Sequence, residues 1–419
     1  MIQTAEKKLV IKAIDELGRS VTVADVATKT GLPVLVATAE LNQVAAEARG
    51  HLEVSTTGDI AYKFTPGFQS YYLAKGLQLQ LENIGKKAFA VGYTILRFSF
   101  GIMLIVSFIL VVVLIIAAML AGRGDRDGDR GGGFDFDFFD FMILRDLLWW
   151  GSYSSYPAYV DYSRPATTKA SGKGNFLTKC FSFLFGDGDP NAHLEERKWQ
   201  VVAQLIRSNG GVVTAEQLAP YTGADPKNED EVLPVLVRFN GSPEVTDEGF
   251  ILYSFPSLQV TASGYGMSGS LPSYLREFKR EFSVYDNEEL TGVFLLATAN
   301  LFGSWWLWGQ SMRMSVLIPF HGLVNWLVLY GTFFVAVPFF RWLAYSYINS
   351  RIESRNNKRE KNALYLKNAS STSSELVKKL GTASKLRQSK LLEAKPASQV
   401  VYSTDKDILE QEFDEGFSK

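Results

Sequence analysis

The chain repeats a stretch of itself. EKKLVIKAIDELGRSVTVADVATKTG, closed by LEVSTTGDIAYKF, is answered by EERKWQVVAQLIRSNGGVVTAEQLAPYTG, closed by PEVTDEGFILYSF. Thr30-Gly31 matches Thr222-Gly223 and Glu53-Val54 matches Glu244-Val245. Gly58, Ile60, Tyr62 and Phe64 match Gly249, Ile251, Tyr253 and Phe255 at nearly unchanged spacing. Such a duplication demands that one local fold be formed twice. In the second copy Asp189 and Pro190 have N-cap and first-turn character, the helix runs to about Arg207, and Asn209-Gly210-Gly211 stops it. Thr214 with Gln217 makes a capping box for the next helix, and a third spans about Pro226 to Arg238. Alternation in PEVTDEGFILYSF around an Asp-Glu-Gly turn predicts a hairpin wing, with Ile60, Tyr62, Phe64 and Ile251, Tyr253, Phe255 on its buried face. The expected fold is a mainly α membrane protein, with two winged-helix-like α+β modules joined to a transmembrane helical region.

Both copies lead into apolar segments. Phe98 to Ala121, Leu290 to Trp308 and Ser315 to Phe340 carry no Asp, Glu, Lys or Arg and approach the ~20 residues that a spanning helix needs. The predicted order is module 1 at 1–66, a linker helix at 67–97, a crossing at 98–121 and a Gly/Asp/Arg loop at 122–133. An interfacial or re-entrant helix at 134–151 and a linker at 152–186 follow, then module 2 at 187–257 and a Gly/Ser linker and helix at 258–289. Crossings at 290–308 and 315–340 and a basic helical tail at 341–419 complete the chain. Asp135, Asp137, Asp140, Arg145 and Asp146 make 134–151 costly as a crossing unless protein shields it. Repeated membrane exits place both modules on one face, and Lys86, Lys87, Arg97, Arg276, Lys279, Arg280 and the basic residues after Arg341 mark that face as cytoplasmic or stromal. Arg123, Arg126 and Arg130 in the opposite loop oppose this assignment, and three strict crossings would set the modules on opposite faces.

A formal charge of -1 gives no general attraction to nucleic acid. The third helices would have to neutralise phosphates, yet they carry Glu40, Glu47, Glu229, Asp230 and Glu231. Glu229, Asp230 and Glu231 are instead a candidate partner surface. The single cysteine, Cys180, rules out intrachain disulfides and any four-cysteine zinc or iron-sulfur site made by one chain. Asp125, Asp127 and Asp129 lack the glutamate of a calcium loop, and Asp187, Asp189 and Asn191 are followed by Lys198 where that glutamate belongs. The G-x-G-x-x-G run from Gly264 to Gly269, with Asp286 beyond it, leads to the membrane and not to a βαβ unit, so it reads as a linker. No cofactor, metal or catalytic residue is expected, and the chain does not read as an enzyme. Asn300, His321 and Asn325 form a candidate intramembrane polar cluster, usable for a transport path or for hydrogen bonds between helices.

Over FLFGDGDPN, HLEERKWQVVAQLIRSNGGVVTAEQLAPY and VVYSTDKDILEQEFDEGF the chain resembles a family of uncharacterised membrane proteins of cyanobacteria and plant chloroplasts. Its plant members carry an iron-sulfur cluster biosynthesis label. The resemblance implies a thylakoid, plasma or chloroplast membrane. In the tail, Val400, Val401 and Tyr402 offer a strand to a wing edge and Thr404 offers a cap for a last helix, against the alternative of a free tail. The expected function is a membrane-anchored scaffold or assembly factor whose modules hold a protein partner near the bilayer, with homo-oligomers open. A transport-related subunit using Asn300, His321 and Asn325 is the alternative, and a membrane-tethered transcription regulator the third.

Overall fold

A computed structural model describes residues 5–55, 60–69, 77–122, 175–259, 271–368, 373–393 and 400–404. The expectations for Asp125, Asp127 and Asp129, for 134–151, for Gly264 to Gly269 and for the chain beyond Thr404 lie outside these residues. In chain order the first elements are α1 (Ala5–Glu16), β1 (Ser20–Val21), α2 (Val23–Thr30), α3 (Val34–Glu47), β2 (His51–Ser55), β3 (Ile60–Lys63), α4 (Leu77–Gly122) and α5 (Phe176–Phe185). There follow α6 (Leu194–Ser208), β4 (Val212–Val213), α7 (Ala215–Thr222), α8 (Leu233–Phe239), β5 (Ser242–Val245) and β6 (Ile251–Ser254). The last are α9 (Asn287–Ser311), α10 (His321–Lys367), α11 (Ser374–Glu393) and β7 (Val400–Ser403). One unit comprises Met1–Gln80, Asn191–Glu277 and Ile352–Lys419; the other comprises Leu81–Pro190 and Phe278–Arg351.

The first unit contains the duplication. The order helix, short strand, helix, helix, two strands occurs twice, and in each sheet the last strand lies centrally, as β1-β3-β2 and β4-β6-β5. Identical local chemistry explains the recurrence. Thr22 with Asp25, and Thr214 with Gln217, form complete capping boxes at the start of the second helix. Gly31 at φ 73° and Gly223 at φ 77° end that helix in the left-handed conformation that glycine enters without a Cβ penalty. Two predicted boundaries are corrected. The third helix of the second copy begins with a 3-10 turn at Glu229–Val232, capped by Asn228, and Pro234 sits at the start of α8 where its missing N–H costs nothing. The first helix begins at Leu194 and not near Pro190, because Asp189 pairs with Arg280 at 2.5 Å and Asp187 accepts from Ser182 Oγ at 2.5 Å and Val284 N at 3.0 Å.

Both copies share one hydrophobic core. Val10, Ile14, Val26, Leu41 and Val44 belong to the same buried cluster as Val202, Ile206, Phe239 and Phe255. A Cβ on Gly31 would come within 3.1 Å of the Gln200 nitrogen and 3.2 Å of the Glu196 oxygen, so α6 seats directly on the glycine corner that ends α2. Arg207 pairs with Asp25 at 2.6 Å, and Arg238 donates to the Gly31 carbonyl at 2.9 and 2.7 Å. The second corner is filled from α10, whose Arg359 would lie 3.3 Å from a Cβ on Gly223. In and just after the last strand of each repeat, Tyr62, Phe64, Tyr253 and Phe255 are buried as expected. Ile60 is not: it pairs with Val54 at the end of the β2–β3 hairpin where the connection between the strands begins, and is 44% exposed.

Of the two alternatives for the tail, docking is found. Ala383 and Leu386 of α11 pack on Val212 and Leu252, while Lys379 reaches Glu216 at 2.9 Å and Lys390 binds Glu244 and Ser254. β7 pairs antiparallel with β2 and adds a fourth strand to the first sheet. Thr404 bonds Leu52, donating its N–H to the carbonyl at 3.0 Å and accepting the Leu52 N–H at 2.8 Å.

Residues 271–286, expected to finish a linker in a helix, contain none. Side chains of α10 take the backbone groups that a helix would pair internally. Asn356 accepts from the Glu277 N–H at 2.9 Å and donates to its carbonyl at 2.8 Å. The Glu277 carboxylate, almost inaccessible, is held by Arg355 at 2.5 Å and Arg359 at 2.6 Å.

The second unit is built on apolar helices. Val91–Ala121, Asn287–Ser311 and Ile318–Lys367 contain stretches long and apolar enough to cross a bilayer. The linker helix at 67–97 and the first crossing merge, from Leu77, into the single helix α4, and the third crossing runs on into the basic tail as α10. α5 lies inside the stretch expected as a linker at 152–186; its Phe176, Cys180, Phe183 and Leu184 pack against Leu104, Val293 and Phe334. Here too a pair of bonds from one asparagine holds an extended residue, since Asn349 accepts from Arg280 N at 2.8 Å and donates to its carbonyl at 2.9 Å.

Two measurements on the full chain in detergent test this fold. Phe255→Ala should cost about 3–5 kcal/mol through lost burial and a cavity, whereas Ile60→Ala should stay within about 0.5 kcal/mol; hydrogen exchange at β5–β6 and at β2–β3 reads both. The Glu277 carboxyl is pushed up by burial but drawn further down by the hydrogen bonds and charges of Arg355 and Arg359, so its folded value lies below its unfolded one. Its stabilisation is complete above the ordinary carboxylate range and is lost as pH falls through the lowered value. Protection factors at residues 275–280, taken relative to the slower intrinsic exchange in acid, should therefore fall on acidification below about pH 4, and Glu277→Gln should remove that dependence.

Candidate functional site

Sequence placed a partner surface at Glu229, Asp230 and Glu231, and the structure sets all three, exposed, on the turn that enters α8. Their roles differ. Glu231 accepts from the Asp225 N–H at 2.8 Å and from Asn228 Nδ2 at 3.3 Å, which ties it to the loop. The Glu229 and Asp230 carboxylates project from the same turn. Behind them α8 buries Val235 and Phe239 and turns Leu233, Pro234 and Val237 outward.

Arg238 is the basic side chain of this helix, and it is committed inward. Besides its two bonds to Gly31 O, its guanidinium lies 4.5 Å from the centre of the Trp199 ring. Burial pushes its pKa down, with Glu195 opposing. The surface that remains is acidic and apolar. α3 packs beside α8 and exposes Leu35, close to the Gly31 corner that Arg238 grips. Leu35, Leu233 and Val237 were absent from the sequence reading. Their signal was that LPVLVRF and PVLVATAEL are apolar on more sides than a helix with one buried face requires.

The intramembrane candidates take separate partners. Asn300, wholly buried on α9, donates from Nδ2 to Ser107 Oγ on α4 at 2.9 Å, and its Oδ1 has no hydrogen-bond partner. His321 Nδ1 lies 2.9 Å from Ser311 Oγ, at the start of α10. Asn325 is partly buried one turn further on. Beside Asn300, α9 and α10 approach closely, because a Cβ on Gly331 would lie 3.2 Å from Ser304 Oγ. These are contacts of the kind that hold helices together where the hydrophobic effect cannot.

Cys180 is fully buried and its thiol pKa is pushed up by burial, which leaves little thiolate to ligate a metal. Among the described residues no three His, Cys, Asp or Glu side chains converge on a point. His193 lies 3.1 Å from Glu196 at the surface and His51 opens β2.

If the Asn300–Ser107 bond joins α4 to α9, then Asn300→Ala and Ser107→Ala should each destabilise the helical region by about 0.6–2 kcal/mol. A double mutant should cost less than the sum of the two. Denaturation in mixed micelles measures all three.

Neither a family model nor a solved structure matches the chain. It is 36% identical over 437 residues to the uncharacterized chloroplastic protein At5g03900 of Arabidopsis thaliana, covering 99% of this chain and 81% of the plant protein.

Proposed function

The chain belongs to the family of this chloroplast protein, and on that premise we propose that it is a membrane-anchored scaffold or assembly factor. Its paired modules, of winged-helix type, hold a protein partner beside a photosynthetic membrane. The observation that carries this reading is the character of the third helix of the second repeat. The face that a DNA-binding winged helix would lay in the major groove here presents Glu229 and Asp230, beside Leu233 and Val237, while Arg238 is turned inward. Such a face repels phosphate and suits a protein. Anchorage is supported by the three long apolar helices and by the chloroplastic relative.

Duplicated modules within one core lie on one side of the membrane in this reading. Single cysteines at Ser55, Ser242 and Ser373, in a Cys180→Ala background, should label alike with an impermeant thiol reagent in sealed vesicles. Opposite labelling of Ser55 and Ser242 would sink it. In the same preparation, gel-shift titration at physiological salt should show no sequence-selective DNA binding; nanomolar, sequence-selective binding would favour a regulator.

A further inference from the structure

An exposed apolar side chain is ordinary when it stands alone, and informative when several adjoin. Among the described residues of the first unit, Leu35, Val237 and Val245 are the most exposed large apolar ones, each 72% accessible, and Leu233 follows at 56%. Three of these four are on two adjoining helices. Leu233 and Val237 are one turn apart on the outward face of α8, and Leu35 is on the adjoining α3. Pro234 on the same helix is also exposed. The buried face of α8 already supplies Val235 and Phe239 to the core, so the outward residues are not needed for folding. Glu229 and Asp230 stand at the N-terminal end of this strip.

Charge decides what can cover the strip. An anionic bilayer surface is disfavoured, since two free carboxylates would face lipid phosphates. A second copy joined face to face through this strip would bring the same carboxylates towards each other in the self-complementary contact of a twofold dimer. A partner with cations beside an apolar stripe removes both penalties. The strip is about one helix wide and two turns long, which fits an amphipathic helix laid along it with anchors one turn apart.

We propose that the outward face of α8, extended by Leu35 of α3, docks a basic amphipathic helix of a partner protein, in which apolar residues meet Leu35, Leu233 and Val237 and flanking Lys or Arg residues meet Glu229 and Asp230. This deepens the scaffold reading and rests on it. The partner is defined by its chemistry: a helix with an apolar stripe at turn spacing and a net positive charge.

The test uses the full chain in its native membrane, with the photoreactive amino acid p-benzoylphenylalanine placed at Val237 or, as a second position, at the exposed Val377 of α11. Mass spectrometry of the adduct from Val237 should identify a peptide with a net positive charge and apolar residues at turn spacing. Its yield should fall several-fold in 0.5 M salt, as expected of an ion-paired rim, and equally in Glu229→Gln/Asp230→Asn, whose hydrogen exchange should match that of the parent. A neutral or acidic peptide, a lipid, or a second copy of this chain at Val237 overturns the proposal. So does a yield indifferent to both salt and the double substitution. Protein captured at Val377 but not at Val237 overturns this surface and spares the scaffold reading, whereas no protein at either position overturns both.

Discussion

The seat of α6 on the glycine corner of α2 is the contact on which the first unit depends. A corner of this kind needs a residue at positive φ, and the absence of a side chain there lets another helix approach its backbone. At Gly31 the approaching helix belongs to the second repeat, so the duplication does not yield two independent modules. It yields one core, tied by Arg207 to Asp25 and by Arg238 to Gly31. At Gly223 the equivalent position is filled by Arg359 of α10. One structural device is thus used twice, first to join the copies and then to attach the helix that follows.

That arrangement dictates which surfaces remain free. Arg238 serves the junction between the repeats and is withdrawn from the surface, and α8 is left with carboxylates at its entry and bare aliphatic side chains along its outer face. The tail closes other edges. β7 covers the outer edge of β2, which would otherwise present unpaired backbone groups to any passing strand. α11 covers part of the second repeat through Lys379, Lys390 and two aliphatic contacts. Leu233 and Val237 on the third-helix face stay exposed.

Asparagine side chains hold backbone polar groups in both units. Asn356 and Asn349 each pair with both backbone groups of an extended residue, as a neighbouring strand would. The Glu277 carboxylate adds two arginines to one of these grips. Such a cluster brings no great stability when intact, since desolvation offsets attraction, but losing one partner leaves a charge buried and costs several kcal/mol. It specifies where the segment lies more than how tightly it is held.

Local chemistry was legible in the sequence. The capping box at Thr214, the helix stop at Asn209-Gly210-Gly211, the strand alternation and the three apolar runs each follow from interactions within a few residues, and each stands where the sequence put it. The acidic character of the third helix was equally legible, since charge is a property of composition. Features set by distant partners were not. A helix over SYLREFKREFS is reasonable by propensity, and only Asn356, Arg355 and Arg359, some eighty residues further along, make the extended form preferable. Asp189 would cap a helix in isolation, but Arg280 offers its carboxylate a full charge. Ile60 obeys the strand alternation and is nevertheless exposed, because alternation gives the side of a strand and not where the core ends. The sequence by itself therefore determined the repeat, its local turns and its long apolar segments. Tertiary structure alone decided that the two repeats share a core, that the tail docks on them, and that Leu35, Leu233 and Val237 are left uncovered, because burial depends on which faces meet.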